Sequence, residues 1–68
     1  MPITASSSIE RVYYDAKERA LKVVFRATGK TYIYEGVGKD VYDALMEADS
    51  VGRYFNANIR DRYPFHEI

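Results

Sequence analysis

Arg53, Asn56 and Arg60 recur at i, i+3 and i+7 late in the chain, and Arg62 follows two residues on. On a helix this spacing puts the first three on one face. Guanidinium groups grip phosphate oxygens with paired hydrogen bonds, and exposed tyrosines stack on unpaired bases. The chemistry this group would serve is nucleic-acid binding. The same residues also have a structural use. Asn56 and Arg60 would then brace the tail by bonding backbone carbonyls, while arginine stems cover aromatic rings.

The other constellations are weaker. Arg11, Lys22, Arg26 and Lys30 form a second basic group in the strand-like half. Lys22 and Arg26 alternate to the same side as Val24, whereas Phe25 alternates inward. Nucleic-acid modules that use an open sheet put aromatics on that open face, so a solvated antiparallel face is expected instead. Tyr32 and Tyr34 share a strand face and, lying just before the Gly36 turn, are expected to fill the core with their hydroxyls reaching its rim. Of the adjacent Tyr13 and Tyr14, one has to point away from the core.

Catalytic and metal chemistry find little support. Asp40, Asp43 and Glu47 share a helix face, but no loop wraps them, and a solvated face is expected rather than a cation site. His66 is the single histidine and the chain has no cysteine. Ser50 is better placed to cap a helix than to attack a substrate. No phosphate-binding loop, dinucleotide fingerprint or zinc-ligand spacing occurs. The expectation is a non-enzymatic chain without cofactor or metal.

These groups sit in 68 residues with ten basic and ten acidic side chains, a formal net charge of zero. That length suits one domain, and a domain of this size buries only about 60% of its unfolded surface. With no disulfide available, the seven tyrosines and three phenylalanines are the means of making a dense core. Zero net charge argues against strong non-specific polyanion binding. Residues 31–49 set Lys39 against Glu35, Asp40, Asp43, Glu47 and Asp49, so an acidic middle follows a basic first half. No apolar run approaches a membrane span and no leader pattern is seen, which makes the cytoplasm the expected location.

Residues 1–8 read as a flexible lead-in to a single domain over 9–68. "IERVYYD" has strand composition, and "ALKVVFRA" alternates with Leu21, Val23, Phe25 and Ala27 on one side. "TGK" makes a short turn into "KTYIYEGV", a third strand. Loops this short predict an antiparallel meander. At Gly36 the period changes: Val41, Leu45 and Ala48 mark an amphipathic helix. Ser50 opens a second helix, roughly 50–60, with Val51, Phe55 and Ile59 on its apolar side. Pro64 stops it and leaves "RYPFHEI" as an extended tail held by Tyr63, Phe65 and Ile68. The fold class is α+β: a three-stranded antiparallel meander followed by two helices packed on one face, βββαα.

Taken together, "SSSIERVYYD", Tyr32-x-Tyr34 with Gly36-Val37, and "VYDALMEADSVGRYFNANIRDRYPF" resemble the KTSC family. The spacing Ser50-x-Gly52-x-Tyr54-Phe55-Asn56, then Ile59-Arg60 and Tyr63-Pro64, carries much of the likeness, which covers nearly the whole chain from Ser6. The family is named after an extra domain at the carboxyl end of some lysyl-tRNA synthetases. Its members look like small free-standing bacterial or phage proteins, and the resemblance implies RNA binding through that association with a tRNA-handling enzyme. Two departures stand out. Gly38 replaces a proline that often opens the first helix, and "FHEI" is less basic than many family tails. The expectation is a binding module for RNA using Arg53, Asn56, Arg60 and Arg62. The alternative is a protein–protein interaction module with no nucleic-acid role.

Overall fold

Alternation in the first half and helical periodicity in the second give the elements of a computed structural model, which describes residues 9–68. Strands β1 (Ile9–Asp15), β2 (Ala20–Phe25) and β3 (Thr31–Glu35) precede helices α1 (Lys39–Glu47) and α2 (Val51–Asn58), and β4 (Phe65–Glu67) closes the chain. The lead-in expected over residues 1–8 lies outside the described residues.

The sheet has four strands in the order β1-β2-β3-β4, all neighbours antiparallel. The expected three-stranded meander is thus correct for β1–β3 and one strand short. The tail pairs with β3, placing Phe65 opposite Tyr34, His66 opposite Ile33 and Glu67 opposite Tyr32. Two flanking backbone bonds at 2.9 Å extend the match, Glu35 N–H to the Pro64 carbonyl and Ile68 N–H to the Thr31 carbonyl. Proline lacks an N–H but keeps its carbonyl, so Pro64 ends the helical region and still serves the edge of the sheet.

Directly opposed residues in an antiparallel sheet share a face. One face therefore carries Val12 and Val23 in one row and Tyr14, Leu21, Tyr34 and Phe65 in the next. Ile9 also points inward, although strict alternation would set it against Val12. A bulge between Ile9 and Arg11 resets the register and lets Ile9 face Phe25. Both helices cover this face. The core comprises Ile9, Val12, Leu21, Val23, Tyr34 and Val37 with Leu45 from α1 and Phe55 and Ile59 from the α2 end.

Ser50 caps α2 as expected, its Oγ accepting the Arg53 N–H at 3.3 Å. Gly38 precedes α1 without a side-chain cap, and its carbonyl accepts the N–H groups of Val41 and Tyr42 at 3.1 Å. Asp40 in the first turn complements the helix dipole. The exposed Lys39–Asp43 pair, 3.0 Å apart, accounts for part of the acidic helix face. Among the described residues no group of histidine and carboxylate side chains is arranged to hold a metal ion, and no helix is long and apolar enough to cross a membrane.

Candidate nucleic-acid interface

α2 ends at Asn58, so Arg60 leaves the helix rather than continuing its face. The Phe55 carbonyl accepts both the Ile59 and Arg60 N–H groups at 2.9 Å, and Arg62 N–H bonds the Ile59 carbonyl at 3.0 Å. This tight exit buries Ile59 and turns Arg60 outward. Asn56 and Arg60 come together along a groove of about 570 Å³ bounded by α2 on one side and the β2–β3 turn and β4 on the other. Arg53 and Arg62 are also exposed but do not line it.

The groove wall is aromatic. Phe65 is 52% exposed and lies 5.6 Å from the Tyr32 ring and 5.2 Å from the Tyr34 ring, centroid to centroid. Behind them Phe55 meets Tyr34 edge-on at 5.2 Å and Phe25 at 5.7 Å. Edge-to-face contacts of this kind fix ring orientation beyond what burial alone would do. Tyr32 and Tyr34 do face the core as expected, yet both also line the groove, where Lys30 and Asp61 add one charge of each sign beside Arg60.

No hydrogen bond or ion pair involves the guanidiniums of Arg53, Arg60 or Arg62 or the Asn56 amide among the described residues. Bracing of the tail by Asn56 and Arg60 is therefore not what holds it. Main-chain pairing with β3 does, and the asparagine that bonds backbone is Asn58, whose Nδ2 donates to the Tyr54 carbonyl at 3.2 Å. Arg60 is felt electrostatically nonetheless. Burial pushes the Tyr34 hydroxyl above the ordinary tyrosine value, while the Arg60 charge pulls it the other way.

Sequence reasoning placed Lys30 with the strand bases and Phe65 with the tail, and so missed that both line the groove. The signal was weak, since their meeting depends on β4 pairing. Among the described residues neither helix covers the opposite side of the sheet. There Tyr13, Lys22, Ile33 and His66 form one row across all four strands, and Tyr13 is the tyrosine that points away. The Lys22 ammonium lies 5.1 Å from the centre of the Tyr13 ring, and His66 Nδ1 lies 3.1 Å from a Glu35 carboxylate oxygen.

The fold and groove define a small α+β domain with both helices on one face of the sheet. A family model for the KTSC domain matches residues 5–63, and the chain belongs to that family. It is similar to the crystal structure of a KTSC domain protein from Yersinia pestis, with a TM-score of 0.91, 35% identity and coverage of 96% of this chain and 90% of that one. An uncharacterized protein of Stutzerimonas stutzeri is 47% identical over 51 residues, 75% of this chain and 70% of its own. A protein of Tsukamurella paurometabola is 40% identical over 58 residues, 85% of each chain.

Proposed function

We propose that this chain is a non-catalytic binding module that takes single-stranded RNA in the groove beside α2. The observation that carries this reading is the pairing of an unengaged guanidinium, Arg60, with the half-exposed Phe65 ring in one groove. An unpaired base stacks on Phe65 and Tyr32, and the flanking phosphates lie on Arg60 and Lys30. Asn56 offers an amide donor and acceptor to the base edge. Arg53 and Arg62 extend the positive field without lining the groove. Such a role fits a cytoplasmic protein.

Zero net charge and the neighbouring Asp61 keep this binding weak. With two phosphates neutralised, the logarithm of affinity falls against the logarithm of salt with a slope of about −1.4. The test is an amide NMR titration with short single-stranded and hairpin RNA at low and near-physiological salt. Shifts are expected at Lys30, Tyr32, Asn56, Arg60 and Phe65, with the single strand preferred. Arg60→Ala and Phe65→Ala each lower affinity by about tenfold with the fold retained. Shifts that avoid the groove, or variants that bind as the parent does, overturn the reading.

A further inference from the structure

Among the described residues lining the groove beside α2, Asp61 is the one that carries negative charge. It is exposed, and the helix exit fixes the backbone on either side of it. Arg60 N–H bonds the Phe55 carbonyl at 2.9 Å, and Arg62 N–H bonds the Ile59 carbonyl at 3.0 Å. Lys30 and Arg60 line the same groove, yet among the described residues neither forms an ion pair with Asp61. Its carboxylate accepts no hydrogen bond there either. Tyr34 registers where the charge lies. Burial is the main cause of its raised hydroxyl, which Arg60 opposes and which Tyr32 and Asp61 reinforce. Guanidinium and carboxylate thus act on one phenol in the groove wall.

On the RNA reading of the groove, on which this selectivity depends, we propose that Asp61 makes the site selective for guanine by accepting from its N1–H and its N2 amino group. An ionised carboxylate is an acceptor with two oxygens, and it matches two neighbouring donors with parallel bonds. Of the four RNA bases only guanine presents such a pair on its Watson–Crick edge. Adenine and cytosine set a ring-nitrogen lone pair beside a single amino group, and uracil sets its N–H between two carbonyls. Each of these turns an acceptor toward the carboxylate and leaves one oxygen without a donor. Asn56, in the same groove, has an amide donor for the guanine O6 next along that edge.

Selectivity comes from a difference of two effects. Asp61 repels the phosphates of every strand, and it recovers that loss only where base donors reach it. Lys30 and Arg60 hold flanking phosphates without regard to sequence, and Phe65 stacks on any base. The remaining lining residues therefore supply affinity, and Asp61 supplies the choice.

Fluorescence anisotropy at low salt tests this with a labelled short uridine strand and the same strand carrying guanosine, inosine, adenosine or cytidine at its centre. Amide shifts are recorded in parallel. The parent chain is expected to bind the guanosine strand about tenfold more tightly than the uridine, adenosine and cytidine strands. Inosine, which keeps N1–H and lacks the amino group, falls between. Asp61→Asn loses the charge and one acceptor, so it weakens the guanosine strand and strengthens the uridine strand by about twofold. A damaged fold would weaken both. Guanosine monophosphate competes poorly, having one phosphate for Arg60 and Lys30 to share; competition as strong as the strand's own overturns the assignment to a strand. Equal affinity for all the strands, with shifts still at Arg60 and Phe65, overturns guanine selectivity and leaves the RNA reading standing. A guanosine preference that persists in Asp61→Asn overturns the role of Asp61. If no strand moves the groove amides, the RNA reading and the selectivity fall together.

Discussion

The Tyr14 ring lies nearly flat on that of Tyr42, with centroids 4.8 Å apart and planes 12° from parallel. The Tyr14 hydroxyl then donates to the Val37 carbonyl at 2.6 Å. One side chain thus joins β1, α1 and the segment between β3 and α1. Tyr14→Phe keeps the stack and leaves that carbonyl without its donor. The expected loss is about 1 kcal/mol, which lowers the melting temperature of a domain this size by about 4–8 °C. Thermal denaturation followed by circular dichroism checks it, and an unchanged midpoint would mean the hydroxyl is replaced by water at no cost.

Phe55 is 1% exposed and touches both Phe25 and Tyr34 edge-on. Removing its ring costs about 3–5 kcal/mol, on the order of what the core of so small a domain supplies. Phe55→Ala should therefore be largely unfolded at room temperature, with collapsed amide dispersion. Phe55→Leu, which retains most of the volume, should stay folded with a lower urea midpoint.

Ser50 holds the first turn of α2 through its bond to the Arg53 N–H. Ser50→Ala removes that acceptor at a cost of about 1 kcal/mol, and Ser50→Asp preserves it while placing a negative charge at the helix start. Urea titrations of the pair should separate them in that order. Equal midpoints would indicate that water satisfies the exposed donor equally well.

Burial raises the hydroxyl of Tyr34 above the ordinary value of 10.0, and burial does the same for Tyr42. The folded chain keeps these protons where the unfolded chain gives them up. Their contribution to stability is intact below pH 10.0 and is lost as pH rises through the higher folded-state values. Urea midpoints should fall above that pH. Because Arg60 lowers the Tyr34 value, Arg60→Ala should move that one phenol further upward and leave Tyr42 unmoved. Ring-carbon NMR shifts across an alkaline titration read both.

The meander and both helices were legible because Leu21, Val23 and Phe25 keep a period of two, whereas Val41 and Leu45, then Val51, Phe55 and Ile59, keep a helical period. β4 was not, since its three residues are all exposed and carry no alternation to read. It forms because β3 offers an unpaired edge, a fact of tertiary position rather than local composition. The Ile9 bulge escaped for the same reason: its signal is a mismatch between Ile9 and Val12 that only the partner strand resolves. Among the candidate site residues, Asn56 and Arg60 line the groove, but Arg60 reaches it through the helix exit rather than along the helix, and Arg53, expected on the same helix face, does not line it.

Three exposed residues make β4 the least anchored strand, and it is also the strand that supplies the Phe65 wall of the groove. Segments with so few buried contacts open at a small fraction of the global unfolding free energy. Wall and strand therefore share one local equilibrium, and under the proposed RNA reading the binding-competent fraction is the fraction with β4 seated. Anything lodged against Phe65 draws down that opening and slows hydrogen exchange at the Glu35 and Ile68 amides, which bridge β3 to the last strand. Occupancy of the groove is thereby written into backbone protection at a sheet edge, outside any side-chain contact the ligand makes.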